Sequence, residues 1–205
     1  MSINLGFRVD GRIKIHDPNT GEVFEEKNNA VNYEAMSIAL ADALGNRGQG
    51  TIYQMAFGNG GASVDSTGVI TYLPPNVTGT SATLYNQTYV KVVDDKSVLN
   101  LDPTRNKMTV KHTSGTYYTD IFVQCLLDYG EPSGQAAFDN GTNLDSNYVF
   151  DELGLLGYYG ITAAGQPITR LLTHVVFHPV QKSLNRQIQI DYTLRIQALT
   201  NLITL

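Results

Sequence analysis

Residues 187–197 read QIQIDYTLRIQ, with an apolar side chain at every even position and a polar one at every odd position. Side chains of a β-strand alternate between two faces, so this pattern predicts a strand with one dry face and one wet face. Residues 12–16 repeat the alternation in a shorter form. They are followed by the turn-forming run Asp17-Pro18-Asn19-Thr20-Gly21 and by a second short strand pattern at residues 22–25. We therefore expect an N-terminal hairpin over about residues 7–27.

Further strand patterns are separated by turns of Gly, Pro, Asn and Ser rather than by helices. This succession is typical of an all-β protein and not of alternating βα units. The fold class we predict is mainly β, an antiparallel β-sandwich or barrel-like arrangement forming a single domain over residues 1–205. Residues 121–127 and 171–177 are nearly continuous in apolar character, which indicates strands covered on both faces, either by their own chain or by another subunit. The strand patterns cover residues 51–57, 69–73, 84–93, 107–112, 117–127, 148–156 and 169–177.

One segment, about residues 33–44, has helical periodicity. Its apolar residues Met36, Ala39, Leu40, Ala43 and Leu44 recur at intervals of three and four. The preceding residue Asn32 suits the N-cap, Glu34 lies in the first turn, and Gly45 suits the C′ position. We expect a helix that packs as a bar across a sheet.

Composition excludes several classes of protein. Fourteen basic and nineteen acidic residues give a formal charge of −5, and no cluster of Lys and Arg is present, so we predict no nucleic-acid partner. No apolar run approaches the roughly 18 residues of a membrane span, and the N-terminus lacks a signal-peptide pattern, so we expect no membrane partner. Only 16% of residues are charged, which suggests a surface covered by other protein.

The motif Gly58-Asn59-Gly60-Gly61-Ala62-Ser63 is similar to a dinucleotide-binding loop, but Ser63 stands where the third glycine belongs and no helix pattern follows. We interpret it as a flexible turn after a strand. The sequence has no Walker loop, zinc-protease helix or serine nucleophile elbow. We predict no catalytic, cofactor-binding or metal-binding residues, no cofactor and no enzymatic activity.

Three groups of polar residues give weaker signals. His174 and His178 share a predicted strand face but have no carboxylate or thiol beside them in sequence, so structural roles are expected. The acid pairs Asp94-Asp95 and Asp151-Glu152 would each point to opposite faces of a strand, which favours solvated turns and ion pairs over a shared acid and base. The segment Asp139–Asp145 offers oxygen ligands but lacks the glycine and glutamate of a calcium loop, and whether it binds an ion stays open.

Tyrosine and cysteine are better explained by packing than by chemistry. Tyr117-Tyr118 and Tyr158-Tyr159 could line a sugar-binding groove, but tyrosine is also common in interfaces and cores, and this second interpretation is favoured. The single cysteine, Cys125, lies in an apolar run and is expected to be a small buried side chain.

Two loops and the C-terminal tail are candidates for contacts with neighbouring proteins. Residues 128–147 and the similarly polar residues 93–106 are long for loops of a compact domain, and such loops are usually functional or ordered by partners. The tail, residues 198–205, is apolar up to Leu205 and must pack on its own core or on a neighbour. With the N-terminal hairpin, these segments are the predicted inter-subunit contacts.

Four segments together carry a resemblance to a known class of protein, and they are residues 29–41, 53–61, 150–155 and 171–186. They resemble structural proteins of the virions of contractile-tailed bacteriophages, and the resemblance spans most of the chain. It implies a subunit of a ring in the neck, collar or baseplate, without a cofactor, whose partners are copies of itself and other virion proteins and which is assembled in the host cytoplasm. It carries over no functional residues, because no site is defined for this class.

The function we expect is therefore that of a non-enzymatic subunit of an oligomeric ring in the neck or collar of the virion. A baseplate or head-decoration protein is an alternative within the same class. A carbohydrate-binding or receptor-binding module that uses the tyrosines and residues 139–145 is an alternative from a different class. The sequence leaves the copy number, the symmetry and the neighbouring proteins open.

Overall fold

A computed structural model of the chain describes residues 5–132, 147–183 and 185–200. The protein is mainly β, as predicted, and the described residues contain thirteen strands and one helix. The strands are β1 (Leu5–His16), β2 (Val23–Asn28), β3 (Ala30–Val31), β4 (Ile52–Gly58), β5 (Ala62–Val64), β6 (Ile70–Tyr72), β7 (Gln87–Val92), β8 (Lys107–His112), β9 (Tyr118–Leu127), β10 (Asn147–Ile161), β11 (Pro167–Leu171), β12 (Thr173–Ser183) and β13 (Ile188–Thr200), and helix α1 covers Tyr33–Leu44.

The first sheet has the strand order β2-β1-β13-β9-β8, and all its pairs are antiparallel. Strand β13, which contains the alternating stretch 187–197, lies at its centre. Its even residues Ile188, Ile190, Tyr192 and Leu194 are buried, so the predicted dry face is confirmed. Strands β1 and β2 form the predicted N-terminal hairpin, with a register shift at Ile15/His16.

The second sheet has the order β3-β12-β10-β4-β7, and β11 also pairs with β10. The prediction of a single strand over residues 169–177 is wrong. This segment belongs to two strands, β11 and β12, which are separated at Leu172. At this residue the chain changes partners, because the amide of Leu172 donates to the carbonyl of Leu155 and its carbonyl accepts from the amide of Asn32. The 15-residue strand β10 thus pairs with β12 along its first half and with β11 along its second.

The two sheets face each other across one cluster of buried apolar side chains. Phe57, Phe150 and Phe177 of the second sheet pack edge to face, with ring centroids 5.5 and 5.8 Å apart. The hydroxyl of Tyr192 on β13 donates to Thr173 Oγ1 on β12 at 2.7 Å, which joins the two sheets by a buried hydrogen bond. These contacts fix the sheets relative to each other, since burying apolar area and satisfying buried polar groups both favour one arrangement.

Helix α1 has the predicted bounds and packs Ala35, Met36 and Ala39 into the core. The side chain of Asn32 accepts from the amide of Ala35, as predicted for an N-cap, and also donates to the carbonyl of Gly79. The predicted role of Gly45 at C′ is wrong, because Gly45 has a φ of −76°.

The left-handed residue at the helix C-terminus is instead Asn46, with a φ of 51°. Its amide donates to the carbonyl of Ala43, and the amide of Arg47 donates to that of Asp42. These two bonds form the Schellman motif with asparagine at C′, which asparagine tolerates better than most residues. Gly45 is therefore the C-cap, and the C′ position lies one residue later than the glycine suggests.

Candidate functional site

One end of the first sheet extends beyond the second sheet. Along β1 the inward-facing side chains pass from fully buried at Ile13 to 7% exposed at Val9 and 64% exposed at Phe7. The same change occurs along β8, where Val110 is 68% exposed. Because these residues share the inward face of their strands, the rising exposure marks where the opposite sheet stops covering them.

The inward-facing residues Phe7, Val110, Ile121 and Ile196 form a continuous apolar surface at this end, which we call the overhang face. The sheet register brings them together, since Ile121 pairs with both Val110 and Leu194 across neighbouring strands. Residues this large on one exposed sheet face are a typical mark of a protein interaction surface.

A cavity of about 390 Å³ opens where the overhang face meets helix α1. Its walls are mainly aliphatic and come from both sheets and the helix. Its charged groups belong to Asp94, Asp95 and Lys96, at the start of the loop between β7 and β8. The residues that line it include Val9, Met36, Leu40, Met108, Leu172 and Leu194.

The loop of residues 93–106 borders the cavity and is held in one conformation by its own asparagines. The side chain of the buried Asn100 donates to the carbonyl of Asn106 at 2.7 Å, and the side chain of Asn106 accepts from the amide of Leu126 at 2.9 Å. The acid pair Asp94-Asp95 lies in a turn at its start, as predicted, with Asp94 accepting from the amide of Lys96.

Residues 93–106 form a loop, as predicted, and three apolar side chains are exposed at its centre. Val98 and Leu101 are 94% and 96% exposed, and Leu99 between them is also exposed. We call these three residues the loop tip. The loop therefore presents three large apolar side chains to solvent, and its first residues, 94–96, line the cavity.

The acid pair Asp151-Glu152 differs most from its prediction. Both side chains are buried instead of solvated, and the irregular pairing of β10 with β12 between Phe150 and Glu152 turns both towards the loop after β4. Regular alternation would have placed them on opposite faces, and the bulge removes that alternation.

The loop that receives these carboxylates is the glycine-rich motif 58–63. The amides of Gly61 and Ala62 each donate to Asp151 at 2.9 Å, and the amide of Gly60 donates to Glu152 at 3.1 Å. Glu152 also accepts from the amides of Tyr85 and Asn86 at 2.9 and 2.8 Å. We call this arrangement of Asp151, Glu152 and the three loop amides the carboxylate clamp.

The clamp explains why the motif is rich in glycine. A Cβ atom on Gly60 would lie 2.8 Å from the amide nitrogen of Asn86, and one on Gly61 would lie 2.7 Å from a methyl group of Val176. Neither space admits a side chain. The motif is therefore a turn next to strand β5 that hydrogen bonds hold in place. It is neither the flexible turn that we predicted nor a phosphate-binding loop before a helix.

His174 completes the clamp. Its Nε2 lies 2.9 Å from Glu152, and its Nδ1 accepts from the amide of Asn76 at 2.8 Å, which makes Nε2 the protonated donor. His178, four residues along, is exposed and lies 3.1 Å from the hydroxyl of Tyr72. The sequence offered no carboxylate partner for His174 because Glu152 comes from a neighbouring strand.

The electrostatics of the clamp differ between its two acids. Burial raises the pKa of Asp151, and the amides of Gly61 and Ala62 only partly offset this effect. Burial acts on Glu152 in the same sense, but the hydrogen bonds from His174 and three backbone amides outweigh it and lower its pKa. The side chains of Glu152 and His174 are fully buried, so they cannot reach a substrate and serve to hold the loop.

A second polar group missed by sequence reasoning lies at the other side of the core. Lys91 ion-pairs with Glu131 and donates to the carbonyl of Leu126. Lys182 is fully buried opposite Tyr148, and burial lowers its pKa to about 8. Sequence alternation from Val175 and Phe177 would place Lys182 outward, and the irregular pairing of β10 with β12 turns it inward.

The remaining candidates do not converge on one another. Tyr159 is buried, with its hydroxyl donating to the carbonyl of Ala35, and Tyr158 packs edge to face on Tyr53. Tyr118 is covered by the guanidinium of Arg195, and Tyr117 is exposed. Cys125 is buried, as predicted. The segment Asp139–Asp145 and tail residues 201–205 lie outside the described residues.

No protein-family model, curated protein or solved structure matches this chain. Within residues 5–132, 147–183 and 185–200, histidine, cysteine and acidic side chains form no group of three or more that could hold a metal ion. The same part of the chain has no helix with the length and apolar character to cross a membrane.

Proposed function

We propose that this protein is a structural subunit of a tailed-bacteriophage virion and that its copies form an oligomeric ring in the neck or collar. The assignment to a virion rests on the sequence resemblance. The proposal of self-assembly rests on one observation of the fold, the apolar overhang face beside an open apolar cavity.

Self-assembly accounts for the exposed residues that folding leaves unexplained. Phe7 and Val110 on the overhang face are largely exposed, as are Val98 and Leu101 on the loop tip. Val110 also lines the cavity. Removing large apolar side chains from water favours association by roughly 1.5–3 kcal/mol for each side chain that becomes fully buried. A partner that covers this surface would gain that free energy, whereas the isolated chain does not.

The rest of the fold suits a subunit that must keep its shape. The carboxylate clamp ties the loop after β4 to β10, and buried hydrogen bonds hold the loop of residues 93–106. Surfaces whose backbone is already ordered lose little conformational entropy on association. The surface that we propose for assembly is therefore presented by rigid elements.

The oligomeric state of the purified chain tests this proposal. We expect sedimentation velocity at micromolar concentration to give one dominant species whose mass is a whole multiple, greater than one, of the chain mass. A monomer at every concentration up to the solubility limit would contradict the proposal. Electron microscopy of particles with the labelled subunit would then distinguish the neck or collar from a baseplate or head-decoration position.

A further inference from the structure

We propose that the cavity beside the overhang face receives the apolar C-terminal residues 201–205 of a neighbouring copy of this chain. The inference rests on the proposed function and specifies how one subunit holds the next. The donor segment contributes Leu202, Ile203 and Leu205, and the acceptor is the cavity lined by Val9, Val110 and Ile196.

The size and chemistry of the cavity fit such a segment. A protein cavity of roughly 150 Å³ holds one benzene-sized group, so a volume of about 390 Å³ has room for two or three aliphatic side chains. The walls are aliphatic, and the charged residues Asp94 and Lys96 are found at one side. The sequence of residues 201–205, with three aliphatic side chains and no charged one, matches both features.

The end of β13 lies at the same end of the sheet as the cavity. Strand β13 runs to Thr200, which pairs with Leu5 at the end of β1. Ile196, four residues earlier on β13, lines the cavity. The donor segment of each copy therefore starts next to the overhang face of its own chain.

The direction of β13 favours the cavity of a neighbouring copy as the acceptor. At about 3.3 Å per residue, Thr200 lies roughly 13 Å beyond Ile196, in the direction that leads away from the cavity of its own chain.

A segment donated to the next copy produces a head-to-tail contact. Such heterologous contacts use two different surfaces of each subunit and close into a ring when the rotation between neighbours permits. The cavity and residues 201–205 are two such surfaces, which is the arrangement that the proposed ring needs.

Two complementary variants test the contact. The donor variant carries Leu202→Asn, Ile203→Asn and Leu205→Asn, and the acceptor variant carries Val110→Asp at an exposed position on the cavity rim. We expect each variant alone to sediment as a monomer with an unchanged melting temperature. An equimolar mixture should give a dimer, because the intact cavity of the donor variant accepts the intact segment of the acceptor variant.

Matched controls use the neighbouring polar positions. Thr204→Ser leaves the apolar residues of the donor segment in place, and Thr109→Asp puts the same charge on the same strand but on the opposite face. Both controls should assemble as the unaltered chain does. Assembly of the donor variant into the oligomer formed by the unaltered chain would overturn the inference and leave the proposed ring intact, whereas a monomeric unaltered chain would overturn the proposed function.

Cysteine crosslinking identifies the occupant of the cavity. Copies with Ile203→Cys are mixed with copies with Val110→Cys and oxidised, and we expect a disulfide-linked dimer. The native thiol does not interfere, because Cys125 is buried and burial raises its pKa to about 12. Absence of the mixed disulfide, or a bound small apolar molecule in native mass spectra of the assembled protein, would overturn the inference.

Discussion

Replacement of Glu152 by alanine is expected to lower the free energy of unfolding by about 3–5 kcal/mol, because several buried donors lose their acceptor at about 1–3 kcal/mol each. The substitution removes the acceptor of the amides of Gly60, Tyr85 and Asn86 and of the His174 ring. These donors would remain buried without a partner, since the space is closed to solvent. Urea unfolding at about pH 7 measures the loss.

Glu26→Ala provides the matched control, because Glu26 makes an exposed ion pair with Arg12 at 3.0 Å on the surface of the first sheet. Exposed pairs contribute about 0–1 kcal/mol, so this variant should stay close to the unaltered protein. Equal losses for Glu152→Ala and Glu26→Ala would contradict the role that we assign to the clamp.

The same substitution has a predicted dependence on pH. Because the pKa of Glu152 is lowered in the folded protein from an ordinary value of 4.5, its contribution is present above that value and is lost as the pH falls through the folded pKa. The difference in the free energy of unfolding between the unaltered protein and Glu152→Ala should therefore shrink under acidic conditions.

Asp151 acts in the opposite sense, since its raised pKa makes protonation favour the folded state. The variant Asp151→Asn should lose stability more steeply with acid.

The second large effect is expected on assembly. Phe7→Asp puts a carboxylate on the overhang face, where a neighbouring copy would bury it without a partner. A cost of about 3 kcal/mol or more corresponds to an increase of at least roughly 100-fold in the dissociation constant between subunits. Because Phe7 is largely exposed in the single chain, the melting temperature of the monomer should change little.

Gly6→Asp is the control for this experiment. Gly6 precedes Phe7 on β1, is exposed, and points to the opposite face of the sheet, where a Cβ atom would make an ordinary contact of 3.8 Å with Leu199. Sedimentation velocity over a concentration series should therefore show weaker association for Phe7→Asp alone. If both aspartates weakened association equally, the overhang face would not be the contact surface.

Much of the fold could be predicted because local patterns determine it. The alternation in residues 187–197 identifies β13 and its dry face, and the turn at residues 17–21 identifies the β1–β2 hairpin. The periodicity and caps of residues 33–44 locate α1. The order of strands in the sheets depends on contacts between distant segments, and no local pattern encodes it.

The candidate site was less predictable, for two physical reasons. A bulge at Asp151 breaks the alternation from which Asp151 and Glu152 were predicted to point to opposite faces of a strand. The binding of both carboxylates to one glycine-rich loop therefore could not be inferred. The overhang face results from the length by which one sheet exceeds the other. Phe7 and Ile13 have the same inward parity in the sequence, and only the packed structure distinguishes the exposed residue from the buried one.

Electron microscopy of the purified, assembled chain tests most directly whether copies associate through the overhang face. We predict closed rings in which each subunit junction covers Phe7, Val110 and the cavity beside them. Rings whose junctions leave this surface open to solvent, or fields of single subunits only, would contradict the account.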